Sequence, residues 1–511
     1  MDDLMLHRCL GFLFYVTALV VVTFFCIFLY FKYSFTHWYR RGVPYIKPKI
    51  PFGNNNSFGT GAFSYGIESL DWYREIKKRG LKYGGAWSWD NPLLVIVDPE
   101  YIKTILVKDF DHFTDRHFFH NPKYDPKNES LFVVEKDEWK YMRQNLSPTF
   151  TPVKMKTMFE GVKRCTVPLI QCLEESVKNG EIIDIKDVMS AYTIDVIGAN
   201  IYGLQLESFK AKDSKFREIG REVFNITWMK GIKVIFFRMY EKIARNLGIT
   251  ILSRDIIMSF DQIVKDTVEY RRKNEVKYQD FMQLSMDLHD STKDKDRPYT
   301  FDHLVSNIIV FFLAGFDTSA TTLSFCLYHL AMNPEIQEKL RNEIMITLKA
   351  CNGDLTFEAM KNLTYLRQIL DETLRLYPPI NALSRVTVKS YKLKDSNLIL
   401  NKGDKIIIPV VGLHRDPEYF PDPDRFDPDR FSPERKNSIP SNVYMPFGDG
   451  PRACIGMRFA LMQMTLGLVE ILSNFRFSQC DETVPVKPKR GVFIMAPNNV
   501  IYLKAEKICN D

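Results

Sequence analysis

Residues 446–456 read "PFGDGPRACIG", and the fold turns on why a single cysteine stands among three glycines and an arginine. A lone cysteine is ordinarily a small buried hydrophobe. Gly448, Gly450 and Gly456, however, permit tight turns and a close approach of backbone to a bulky group. The stretch that follows, "MRFALMQMTLGLVEIL", has the apolar density and length of a helix. Cys454 is therefore expected at a helix N-terminus, where unpaired backbone N–H groups and the positive end of the dipole favour a thiolate.

The rest of the chain sets the scale. Its 511 residues exceed the ~250–300 at which single cores usually split, so length alone predicts several domains. Hydrophobic residues make up 45% and aromatic residues 13%, which excludes disorder and supplies a large core with room for an apolar cavity. The nine cysteines form no CxxC cluster, which argues against structural zinc or a disulfide framework. A net charge of +7 without an arginine-rich run or nucleic-acid motif fits an anionic membrane or an acidic protein better than it fits nucleic acid.

Near the start, "CLGFLFYVTALVVVTFFCIFLYF" from Cys9 to Phe31 carries no charge, and a helix of that length spans a ~30 Å hydrocarbon core. Residues 1–31 are read as a membrane anchor. Arg8 precedes the span, whereas Lys32, Arg40, Arg41, Lys47 and Lys49 follow it, so the positive-inside rule places the bulk in the cytosol, with its thiols reduced. Residues 32–62, with Pro44, Pro48 and Pro51, read as a semi-rigid linker. "AWSWDNPLLVIVDP" predicts a hairpin turning at Asp90-Asn91-Pro92, and Lys405–Val411 a further strand. Elsewhere helical patterns dominate. The longest starts at Phe301 after Thr300, a good N-cap, and is apolar on nearly every face from Ile308 to Met332, so it should run through the core. Inside it stand Gly315, Asp317 and Thr318, which oppose helix propensity and burial.

A thiolate held as Cys454 would be is an iron ligand, and Arg452 beside it suits a carboxylate. The pattern formed by Phe447, Gly448, Gly450, Arg452, Cys454 and Gly456 resembles the haem-thiolate loop of the cytochrome P450 family. Distant residues agree with it. Glu372 and Arg375 in "DETLRLYP", with Arg430 in Pro428–Phe431, resemble the family's buried carboxylate between two arginines, although Asp429 stands where Glu is commoner. Trp139 and Arg143, four apart on one helical face, resemble its propionate-binding helix, and Arg116 and Arg385 two further propionate ligands. Ala314–Thr318 resembles the oxygen-activating motif, in which the glycine gives oxygen room while Asp317 and Thr318 relay protons. "LSPTFTPVKMK" and "KPKIPFGN" look like the animal microsomal branch that, in arthropods, oxidises plant toxins and insecticides.

The resemblance implies a mainly α fold with small β-sheets and a single unit, residues 63–511, around one haem b, so the length-based expectation of several domains gives way. It also implies O2 and NADPH-derived electrons, with NADPH-cytochrome P450 reductase and cytochrome b5 as partners at the endoplasmic reticulum membrane. No Gly-x-Gly-x-x-Gly fingerprint for a dinucleotide is present, which fits a separate reductase. That reductase is expected on basic residues such as Lys140, Arg435, Lys436 and Arg458. By the same analogy a lipophilic substrate would meet His117–His120, Phe209–Phe237, Ile380–Leu383 and Phe493–Met495, and Met229–Tyr240 would dip into lipid. His329 and His414 are read as packing or surface residues. A haem-thiolate isomerase or dehydratase using no O2 is the alternative, opposed by the Asp317-Thr318 pair. A haem sensor or carrier would need neither that pair nor a substrate channel.

Overall fold

The computed structural model describes residues 2–55, 66–116, 118–210, 215–224, 233, 236–237, 240–250, 252–490, 492 and 494–508. His117, Phe493 and most of Met229–Tyr240 lie outside them. Helices carry most of the described chain and small sheets the remainder. Six helices position the site: α1 (Asp2–Ser34), α2 (Lys136–Leu146), α3 (Ile185–Ile197), α4 (Phe301–Met332), α5 (Thr364–Leu376) and α6 (Met457–Asn474).

Two helices are long and apolar enough to cross a membrane, and burial separates them. None of the apolar window of α1 is buried, whereas 67% of that of α4 is. α4 is thus a core helix. It starts as its sequence predicts, with a capping box in which Thr300 Oγ1 accepts from the His303 amide and His303 Nδ1 accepts from the Thr300 amide. It continues unbroken through Gly315.

Strands β1 (Tyr83–Ser88), β2 (Asn91–Ile96), β4 (Leu383–Val386) and β5 (Lys405–Ile408) form one sheet in the order β1-β2-β5-β4. A second sheet runs β3 (Ile183–Asp184), β7 (Tyr502–Lys507), β6 (Phe475–Ser478). The expected hairpin is present with its turn one residue earlier, at Trp89-Asp90, where Trp89 takes φ 57°. Pro92 sits inside β2 opposite Trp87, and β5 pairs with β2 only at Leu94 and Val95, so the missing proline N–H costs no bond to β5. β5 is shorter than expected because Pro409 cannot donate to a ladder, and Val410–His414 coil into a helical turn.

The segment read as a linker packs along the first sheet between residues 35 and 55. Trp38 is buried, lies flat against Gly85, and donates from Nε1 to the Ala86 carbonyl at 3.2 Å. Tyr45 bridges to Gly85, and Arg41 pairs with Asp404 at 2.7 Å. The foot of α1 joins in: Tyr30 Oη and Ser34 Oγ both donate to Asp90, at 2.7 and 2.9 Å, and Phe31 is buried. This sheet has its own apolar cluster, including Trp87, Leu94 and Ile407, while a larger one gathers the helices around Phe312, Leu323, Leu366 and Leu468.

Candidate functional site

Two of the three loop glycines are demanded by backbone. Gly448 and Gly450 hold φ 73° and 70°, and a Cβ on Gly450 would also run into the Leu106 carbonyl. Gly456, at φ −89°, has only the Phe150 ring near it, at 4.0 Å. The Cys454 amide donates to the Phe447 carbonyl at 2.8 Å, which folds the loop back on itself. Cys454 lies just ahead of α6 rather than in its first turn, since Gly456 is the N-cap and its amide is the one that reaches the sulfur. Desolvation by the surrounding protein pushes the thiol up, although the residue keeps accessible surface, against smaller downward pulls from that amide, Arg143 and Arg116. A metal cation bonded to the sulfur would supply the charge that makes it a thiolate.

Three arginines from three other parts of the chain gather at this loop, which carries a fourth, Arg452. Arg143 of α2 donates to the Ala453 carbonyl at 3.0 Å, and Arg116 to the Arg452 carbonyl at 2.8 Å. Arg452 donates to the Val134 carbonyl at 2.8 Å with its guanidinium 4.5 Å from the Trp139 ring centre. Arg385, on β4, is buried. Burial, then the neighbouring guanidiniums, pull Arg452 down to about 8 and Arg385 to about 9. Arg452 Nε and Nη1 and Arg385 Nε are buried without a hydrogen-bond partner among the described residues. Crowded cations with spare donors call for an anion, and the two propionates of a haem fit that demand. No cluster of three or more His, Cys, Asp or Glu able to hold a metal exists among the described residues.

Behind the loop, Glu372 of α5 is fully buried and takes two hydrogen bonds from Arg375, at 2.6 and 2.8 Å. The Asp427 amide donates to it at 2.9 Å and Arg430 stands 3.5 Å away. Burial pushes Glu372 up, and these partners oppose it. Arg375 also donates to the His414 carbonyl at 2.8 Å. His414 has a larger part than packing. Its Nε2 accepts from the Met445 amide at 3.0 Å, so Nδ1 carries the hydrogen and donates to the Arg375 carbonyl at 3.2 Å. A neutral imidazole thereby ties the carboxylate cluster to the start of the cysteine loop.

This tie has a sign in pH. Burial, then Arg375, pull His414 down to about 3, while an imidazole in the unfolded chain protonates near ~6.5. The unfolded state binds the extra proton in between, so stability falls as pH falls through that window. His414→Gln should flatten the slope by one proton, ~1.4 kcal/mol per pH unit, in denaturant titrations from pH 7 to 4. An unchanged slope would overturn the assignment.

On α4 the two polar residues part company. Thr318 Oγ1 donates to the Ala314 carbonyl at 2.7 Å, on a face that keeps accessible surface. Asp317 turns to α3, where Lys186 pairs with it at 2.6 Å and also bonds Thr321. Gly315 faces α3 as well: a Cβ there would strike the Ile197 side chain. The space left by this glycine is therefore filled by Ile197. Gln463 of α6 completes the region, its Nε2 donating to the Gly315 carbonyl at 3.2 Å and to Ser319 Oγ at 2.6 Å. Sequence reasoning missed Lys186, His414 and Gln463. Of these only Gln463, a polar residue within an apolar helical run, carried a signal.

The profile of the cytochrome P450 family matches residues 68–504. "Cytochrome P450 6a2" of Drosophila melanogaster is 37% identical over 506 residues, covering 96% of this chain and 99% of the relative. "Probable cytochrome P450 6a13" of the same fly is 38% identical over 495 residues, covering 96% and 99%. "Cytochrome P450 6A1" of Musca domestica is 34% identical over 488 residues, covering 94% and 96%. An arginine-ringed cysteine loop, a buried carboxylate cluster behind it and likeness along nearly the whole length lead to one conclusion: this chain belongs to the cytochrome P450 family of haem-thiolate monooxygenases.

Proposed function

We propose that this protein inserts one atom of O2 into lipophilic small molecules, xenobiotics foremost, and reduces the other to water with electrons from NADPH. NADPH-cytochrome P450 reductase delivers the electrons, with cytochrome b5 as a second donor. When bound, haem b supplies the iron at which O2 is activated. The chain supplies the rest. Cys454 binds the iron through its thiolate, and Phe447 and Gly448 hold the loop that presents it. Arg116, Arg143, Arg385, Arg452 and the Trp139 helix orient the macrocycle through its propionates. Thr318 moves a proton at Oγ1, and Asp317, held by Lys186, is its acidic neighbour. By the family analogy, apolar side chains such as Leu383 and Met495 would face the substrate and exclude water.

The protein is held by α1 on the cytosolic face of the endoplasmic reticulum, as the cations after the span suggest. Of the four residues assigned to reductase docking, Lys140 and Arg458 are exposed, while Arg435 and Lys436 reach Asp427 and Asp371 at 3.4 and 3.7 Å. The lysine and arginine surface around the cysteine loop suits an acidic flavoprotein.

The observation that carries the oxygenase reading over the isomerase is Thr318, a hydroxyl on the part of the core helix that keeps accessible surface, whereas Ser319, Thr321, Thr322 and Ser324 of the same helix are buried. Thr318→Ala should keep haem, substrate binding and NADPH consumption while product falls ~100-fold or more, the scale on which a positioned proton donor acts. Hydrogen peroxide should rise in its place. An organic hydroperoxide, which brings oxygen already reduced, should restore part of the turnover. Product from the wild type under strict anaerobiosis without added oxidant would refute the reading for that substrate.

A further inference from the structure

Gln463 stands where three helices meet, and nothing in the proposed chemistry uses it. Its side chain is fully buried in a helix whose other buried residues are, Thr465 apart, apolar or glycine. Helix α6 starts just beyond Cys454, so Gln463 belongs to the same rigid element as the end of the cysteine loop. From there its amide donates to the Gly315 carbonyl at 3.2 Å and to Ser319 Oγ at 2.6 Å. The backbone carbonyl of the same residue accepts from Tyr192 Oη of α3 at 2.8 Å. A Cβ on Gly467, one turn further along α6, would stand 2.9 Å from the Tyr192 ring, so α3 and α6 are already in tight contact there.

The consequence lies on α4. Within one turn two successive carbonyls take a side-chain hydrogen bond: Ala314 from Thr318, and Gly315 from Gln463. A carbonyl with a second donor is drawn towards it, and a glycine turn is the part of a helix that yields most readily. Gln463 holds that turn from outside at the residue next to Ala314, whose carbonyl fixes the Thr318 hydroxyl. Gln463 Oε1 has no partner among the described residues, a desolvation cost that an apolar residue of the same size would avoid.

We infer that Gln463 is a positioning residue: it fastens the Ala314–Thr318 turn to the helix rising from Cys454, and so sets how well the Thr318 hydroxyl is placed for proton transfer. The inference rests on the monooxygenase reading of Thr318, but its mechanical half can be tested without turnover.

The test compares the wild-type holoenzyme with Gln463→Met, which keeps the volume and cannot donate, and Gln463→Glu, which keeps the shape and as a buried neutral acid donates once. Hydrogen exchange of peptides covering residues 314–323 should accelerate ~5-fold or more in Gln463→Met, the factor for one lost buried hydrogen bond. The reduced carbon monoxide spectrum should remain of thiolate type. Product per NADPH should fall several-fold with a matching rise in peroxide, and Gln463→Glu should recover part of both changes. Ser319→Ala, which trims one hydroxyl, should shift exchange and coupling in the same direction and serves if Gln463→Met does not assemble. Wild-type exchange and wild-type coupling in either variant would overturn the inference. Altered exchange with unaltered coupling would overturn the catalytic half. Anaerobic product formation by the wild type would instead remove the monooxygenase reading and leave the exchange result to stand or fall alone.

Discussion

Cys454→Ala should abolish the thiolate-type carbon monoxide difference spectrum of reduced membranes completely, together with all turnover. The expectation follows from the donor set. The loop around Cys454 is folded by Gly448, Gly450 and the Phe447 carbonyl to present one sulfur beside Arg116, Arg143 and Arg452. Alanine keeps the backbone conformation, so the protein should still fold while offering the iron no sulfur. Changing Cys351 or Cys480, both free and only partly buried, should leave the spectrum intact. A thiolate spectrum surviving in Cys454→Ala would sink the assignment of the loop.

The second large effect is expected far from any chemistry. Arg375→Ala removes both hydrogen bonds to a fully buried carboxylate, and Arg430 at 3.5 Å with one amide remains as compensation. Breaking a buried pair by removing one partner costs ~3–5 kcal/mol. That is a large share of the ~5–15 kcal/mol holding a domain together. The His414 carbonyl loses its donor as well, and with it the link to Met445 and the cysteine loop slackens. Haem content per milligram should collapse and thermal denaturation of any residual holoprotein should shift sharply downward. Arg375→Lys keeps a charge but cannot make the paired bond to Glu372, so it should rescue only in part. Normal haem content in Arg375→Ala would show that the cluster does not hold the loop.

Much of this was legible in the sequence, for a physical reason. Residues that oppose local propensity, such as glycines around a cysteine or Asp317 and Thr318 in a core helix, announce themselves against a regular pattern. The Thr300 cap and the hairpin were legible because caps and turns are decided by neighbouring residues. Distance in sequence hid the rest. His414 lies 39 residues from the Arg375 carbonyl that it bonds, and its partner on the other side is a backbone amide, which has no side-chain signature. Lys186 meets Asp317 across 131 residues, through a helix pairing that periodicity cannot specify. The packed stretch after α1 was misleading for the same reason. Its prolines describe stiffness, while Trp38 finds its seat only once Gly85 is opposite.

The docking of the anchor's foot gives that stiffness a purpose. A helix in a bilayer tilts to match the thickness of the hydrocarbon around it. A swivelling tether would absorb such tilting, but Tyr30 and Ser34 grip Asp90 at the hairpin tip and Arg41 grips Asp404. The span and the sheet therefore pitch together, like a mast stepped into its hull. With the span in a bilayer, the thickness of the lipid would set the pose of the whole body over the membrane surface.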